Sequence, residues 1–161
     1  MPLNAQVAVS IVAHETAAGD LSRAMRVTPA TYAMLFTDGT AANQAQVVWS
    51  KTGSAGAAGT ADFTLGSLAD TRDGAAVTVA FSAVKVVYVR NTASSGNLLV
   101  GGLSPGFAGF PASGTVAIAP GGVYCVVSPS DSGFASATAR LASSSGTVAY
   151  EVMFIGEGTV T

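Results

Sequence analysis

The sequence predicts an all-β fold, an antiparallel β-sandwich of jelly-roll-like type with an extended N-terminal arm. Three observations carry that expectation. Runs rich in Val, Ile, Thr and aromatic residues recur about every ten residues, the spacing of a sandwich or barrel. Gly, Asp, Asn and Pro fall between the runs, where chain reversals need them. Helical periodicity is almost absent.

The elements follow in chain order. "AQVAVSIVA" (5–13) alternates Val7, Val9 and Ile11 on one face of a first strand. "AAGDLSRAMRV" (17–27) could make one helical turn capped by Asp20 or Ser22 and ended by Pro29. "TYAMLFTDGT" (31–40) is a strand running into Asp38-Gly39, the strongest short-range reversal signal in the chain. "NQAQVVWSKT" (43–52) follows, and "GSAGAAGTA" (53–61) reads as a loop or bulge. "TADFTLGSL" (60–68) leads to a turn in "DTRDG" (70–74). Next come "AAVTVAFS" (75–82), "VKVVYVRNT" (84–92) and "NLLVGG" (97–102). "GTVAIAP" (114–120), "VYCVVSP" (123–129), "ASATARLAS" (135–143) and "GTVAYEVMFIG" (146–156) complete the series. Residues 1–30 are expected to form a strand or arm that a neighbour could exchange, and 31–161 the sandwich. In 84–92, Val84, Val86 and Tyr88 share one face while Val87, Val89 and Lys85 share the other. A strand apolar on both faces is central, covered on both sides, or buried by a neighbour, and a partner chain over the second face explains the pattern equally well. Lys85 can run its stem along such a face and bring its ammonium to water or a carboxylate.

Composition points to a surface that other chains cover. The 161 residues suffice for one domain with a real core. Only 10% are charged, against about 25% in an average soluble domain. Such a surface is weakly protected against association; the alternative is a monomer with a bland, small-residue exterior. Net charge is −2 with scattered basic residues, so the concentrated basic face that nucleic-acid binding requires is missing. Mean hydropathy is positive, yet no apolar run approaches the roughly 20 residues of a membrane span. No positive charge precedes "VAVSIVA", so no export signal is expected. The one cysteine, Cys125, cannot form an internal disulfide and is expected to be a buried small hydrophobe.

No residue set carries recognisable chemistry. "GLSPG" (102–106) matches the G-x-S-x-G nucleophile elbow, but Pro105 lacks the N–H that must serve the oxyanion. The only histidine, His14, lies upstream of Ser104, the wrong order for that fold. One histidine and one cysteine cannot make a transition-metal set. Asp62, Asp70 and Asp73 lack the dense alternation of a calcium loop and read as turn residues. "GSAGAAG" has no following Lys-Ser/Thr and is not a phosphate loop. Glu151, the one acid deep in a strand, is expected to pair with Lys85 or Arg90. No catalytic, cofactor-binding or metal-ligating residue is assigned, and no cofactor is expected. Candidate contact residues are Leu3, Val7 and Val9 on the arm, Trp49 in "QVVWS", and Phe107 and Phe110 in "SPGFAGFPASG". Aromatics in a Gly/Pro-rich loop either fold back onto the core or insert into a neighbour. Trp49 reads as core or interface, or as a sugar-stacking platform.

The order of these segments resembles a known family. "FTDGTAANQAQVVWS" (36–50) precedes "DFTLGSLADTRDGAAVTVAFSAVKVVYVRN" (62–91). "NLLVGG" (97–102), "APGGVYCVVSP" (119–129) and "VAYEVMFIG" (148–156) follow. The series resembles small virion structural proteins of tailed bacteriophages, over about three quarters of the chain. Its individual motifs are weak, the shared order carries it, and a single acid (Asp62) stands where a more acidic strand is expected. The resemblance implies a β-sandwich assembled into the particle and not an enzyme; the absent export signal adds synthesis in the bacterial cytoplasm, and the broad low-charge surface with an extended arm adds a place on the virion head. The expected function is that of a capsid cement or decoration protein, a homo-oligomer (dimer or trimer) bound to the major capsid protein. The resemblance leaves open a tail or fibre component, and a receptor- or carbohydrate-binding knob is a further alternative. No shaft-forming segment precedes the sandwich in this sequence, which favours the head. Neither nucleic acid nor membrane is expected as a partner.

Overall fold

A computed structural model describes residues 2–11, 14–16, 24–26, 30–57, 59–102, 104, 106–135 and 137–161, and it is all-β over them. The strands in the first half are β1 (Ala5–Ile11), β2 (His14–Thr16), β3 (Ala24–Arg26), β4 (Ala30–Asp38), β5 (Gln44–Ala45), β6 (Val47–Ala55), β7 (Thr60–Thr64) and β8 (Leu68–Arg72). The second half adds β9 (Ala75–Asn91), β10 (Leu98–Val100), β11 (Val116–Ile118), β12 (Val123–Val127), β13 (Phe134–Ala135), β14 (Thr138–Ser143) and β15 (Val148–Val160). The sequence suggested a helical turn over 17–27. Residues 24–26 instead form β3, paired with β2, and the rest of that segment lies outside the described residues.

Two sheets face each other. The larger runs β12-β9-β15-β6, with β8 and β13 also paired to β9, and the smaller runs β11-β10-β14-β7. Alternation decides what lies between them. Val87 and Val89 of β9, Val152 and Phe154 of β15 and Trp49 of β6 meet Leu98, Val100, Ile118, Leu141 and Phe63 of the smaller sheet in one buried cluster. Fully burying side chains of this size contributes about 1.5–3 kcal/mol each. Aromatic geometry fixes the centre: Trp49 stacks on Phe154 at 6.0 Å, and Phe63 meets both rings edge-on. The Trp49 indole N–H donates to the Ala69 carbonyl at 3.0 Å, so its one polar atom is paired.

Segments 75–82 and 84–92, separate in the sequence reading, form one 17-residue strand, β9. Its pairing with β15 slips twice, leaving Ser82 and Lys85 as extra residues. Opposite the slips stand Gly156 and Gly158, where a Cβ would run into the carbonyl oxygens of Ala83 and Ala80. The 70–74 turn is the two-residue hairpin between β8 and β9, with Asp73 and Gly74 at φ 51° and 81°. Positive φ at both central positions matches the right-handed twist of the flanking strands. Asp38-Gly39, by contrast, opens a loop rather than a tight hairpin: β4 pairs with β1, and β6 pairs with β15. A short parallel pairing of β4 with β5 closes that loop.

A hairpin of β1 and β4 forms a third layer on the outer face of the larger sheet. Phe36 of β4 and Ala45 of β5 bury against Val86 and Ile155, with Leu3, Val7 and Met34 packed around them. Strand β9 is therefore covered on both faces around Val86, where its two-sided apolarity calls for it. No helix of the described residues is long and apolar enough to cross a membrane.

Candidate interaction surface

Strand register turns the outer face of the larger sheet into three rungs. Val127, Val86, Ile155 and Val48 lie side by side and are sealed by the root of the hairpin. Cys125, Tyr88, Met153 and Ser50 form the next rung, half covered. Val123, Arg90, Glu151 and Thr52 form the third. There Arg90 and Glu151 stand 4.0 Å apart with much of each side chain in water, a contact of small energetic weight.

The hairpin shows the same gradient. One of its faces carries the register pairs Ala5–Phe36, Val7–Met34, Val9–Tyr32 and Ile11–Ala30. The first two pairs press onto the sheet. Beyond them Val9, Tyr32 and Ile11 are 45%, 43% and 63% exposed, so a continuous apolar face leaves its support. From Leu3 to Ile11 and from Ala30 to Thr37 no residue is charged. Between the hairpin and the second and third rungs lies a groove of about 470 Å³. Gln6, Val7, Ala8 and Val9 line it consecutively, while no residue of β4 does. Consecutive strand residues point to opposite faces, so the groove runs along the backbone edge of β1. Its floor is Tyr88, Val123, Cys125, Met153 and Ile155, with the Glu151 carboxylate at its side.

A buried cation anchors the root of the hairpin. The extra residue Lys85 turns away from Val87 and Val89, correcting the shared face read from simple alternation. Its fully buried ammonium donates to the carbonyls of Ala41 at 2.7 Å and Thr40 at 3.3 Å. Glu157 Oε1 lies 2.8 Å away as a close ion pair without an aligned hydrogen bond. The partner of Lys85 is thus Glu157 rather than Glu151, which faces Arg90. The Leu3 N–H donates to Asp38 at 3.2 Å and ties the chain into the same junction.

The candidate contact residues divide between two places. Leu3 and Val7 lie half-buried under the hairpin root and Val9 at its exposed rim. Trp49, Phe107 and Phe110 are at most 6% exposed and belong to the sandwich core. Of the two fates open to the loop aromatics, folding back is the one observed. Phe107 packs edge-on to Phe110 at 5.3 Å and to Phe154 at 6.2 Å, and Phe110 meets Tyr124. A bare Gly109 permits this, since a Cβ there would press into the Phe107 ring. In the isolated chain these three side chains are almost wholly covered by the sandwich itself. Cys125, expected inside, is exposed: Tyr124 takes the inward position and donates its hydroxyl to the Gly109 carbonyl, so Cys125 faces out. Partial burial in the groove floor pushes its thiol pKa up.

Two further acid–base pairs stand elsewhere on the surface. Arg140 forks onto both oxygens of Asp62 at 2.6 Å and donates to the Ser104 carbonyl. The guanidinium hydrogen bonds hold the Asp62 carboxyl below the usual aspartate range. Asp70 is bonded by Arg72, and Asp73 sits in the β8–β9 turn. Among the described residues no three His, Cys, Asp or Glu side chains gather in a metal-binding group. A smaller hollow of about 280 Å³ beside Gly101, Phe107, Phe110 and Arg140 presents a guanidinium that is already bonded. Leu103 and Pro105 of "GLSPG" lie outside the described residues, as do the side chain of His14 and the residues Asp20, Ser22 and Pro29. No protein-family model, curated protein or solved structure matches the chain.

Proposed function

We propose that this protein is a capsid cement or decoration protein of a tailed bacteriophage, bound to the major capsid protein on the head surface. The observation that carries the reading is the projecting β1–β4 hairpin, uncharged from Leu3 to Ile11 and from Ala30 to Thr37, with its apolar face continued past the body. A protein that binds a repeating lattice needs a broad, weakly charged contact surface and an extended element more than a pocket. The shared order of sequence segments with phage virion proteins supports the same reading. The proposed action is mechanical: apolar and backbone surface is buried across capsid-subunit junctions, which resists pressure from packaged DNA.

Cosedimentation of the purified chain with empty head shells of its phage tests this. Saturable binding and a raised shell melting temperature are the expected results, because a ligand of the assembled state stabilises that state. A chain that leaves the shells in the supernatant overturns the head assignment. Binding to tails or to host cells would then identify a tail component or a receptor-binding knob.

A further inference from the structure

We propose that the groove beside β1 is a strand-receiving slot, and that its occupant is β1 of a second copy of this chain. The slot has the two parts that strand addition uses: a backbone edge to pair with and a floor for alternate side chains. Among the described residues β1 pairs with β4 alone, so its groove-side N–H and C=O groups have no strand partner. Folded proteins normally blunt such edges with charge, proline or a bulge. Here the seven residues of β1 hold no charge and no proline, and their register with β4 is uninterrupted. The floor is apolar at Tyr88, Val123, Cys125, Met153 and Ile155 and carries one charge, Glu151, which stands 4.0 Å from Arg90; its apolar part accepts apolar side chains.

Two properties select an identical copy as the occupant. Interfaces between identical copies bring like charges together, and this strip carries none to repel. The sequence of β1 is also self-complementary about Ala8. An antiparallel pair centred there sets Val7 opposite Val9 of the second copy and Ala5 opposite its Ile11. All four stand on the body-facing side, because directly opposed residues share a face. The exposed Val9 and Ile11 of each copy then come beside Val7 and Ala5 of the other, which already pack onto the outer sheet face. A seven-residue strand in a slot covers on the order of 500 Å² per copy, below the about 800 Å² of a standard interface. The expected dimer is therefore reversible, with micromolar dissociation.

The pairing is separable from the cement reading, since its test needs no shells. Sedimentation velocity of the full chain should show a monomer giving way to a dimer between micromolar and millimolar concentration. In a Cys125→Ser background, Ala8→Cys should form an intermolecular disulfide on oxidation, because the two copies of position 8 face each other across the axis. Gln6→Cys should not, since position 6 faces Ser10 of the other copy. Val9→Lys, at a half-exposed site, should weaken dimerisation at least tenfold while leaving the circular dichroism spectrum unchanged. A chain that stays monomeric overturns the proposal, as it would if another partner or the chain's own 12–29 segment filled the slot. A dimer that ignores Val9→Lys, or that the Gln6→Cys variant crosslinks as readily as Ala8→Cys does, overturns it equally.

Discussion

Lys85 is held by neighbours that a simple alternating strand would not give it. An extra residue in β9 swings the side chain to the outer face, where two loop carbonyls and Glu157 receive the ammonium. Removing one member of a buried pair leaves the other charge uncompensated, at a cost of about 3–5 kcal/mol. Lys85→Met should destabilise the fold by that order in urea denaturation, and Lys85→Met with Glu157→Gln should recover much of the loss. The same substitution frees the carbonyls of Thr40 and Ala41, so amide exchange should rise in the loop after β4 before it rises in the core strands. If the single and double variants are equally unstable, Lys85 matters through the packing of its stem rather than through its charge.

At the scale of the element, β9 and β15 show what the sequence carried and what it could not. Period-two alternation and turn residues were enough to read most of the sandwich strands, a turn within 70–74 and the need to cover a strand apolar on both faces; they did not reveal β2, β3 or β8, or that 75–91 is one strand. The bulges were not legible, because an extra residue is defined by the partner strand and leaves no local mark. Lys85 was consequently placed on the wrong face, and Cys125 was placed inside because Tyr124 could not be oriented. Phe107 and Phe110 were open for a related reason: a Gly/Pro-rich loop does not record whether it folds back. Leu3, Val7 and Val9 were legible as one alternating face, but the groove beside them is made by strands more than seventy residues away. Gly156 is the sequence's nearest sign of the bulges. Gly156→Ala should cost about 1–3 kcal/mol, the usual penalty of overpacking, because the added Cβ meets the Ala83 carbonyl oxygen. Gly66→Ala, in open space within a turn at negative φ, is the matched control for thermal denaturation. A similar loss at both positions would mean that backbone freedom, not the close approach at the bulge, sets the cost.

The whole molecule sorts its apolar surface into a core between two sheets, a sealed junction beneath a hairpin, and a hairpin end at which Val9, Ile11 and Tyr32 stay exposed. The other face of that hairpin carries Gln6, Ala8, Ser10, Thr31, Ala33 and Leu35, all exposed and uncharged. If two copies join through β1, these residues become one uncharged face of the two joined hairpins, pointing away from both bodies. On the proposed cement function such a face would meet the shell, because a charged one would keep its hydration and resist burial. Leu35, 52% exposed, stands on it. Leu35→Glu should leave folding stability within about 0.5 kcal/mol and leave self-association unchanged, while lowering shell binding at least tenfold in cosedimentation. Val9→Lys should act in the opposite order, weakening self-association first and shell binding only through the lost second copy. A Leu35→Glu protein that still binds shells with full affinity would take the capsid contact off this face. The exposed Val116 and Val123 would then be the next residues to charge.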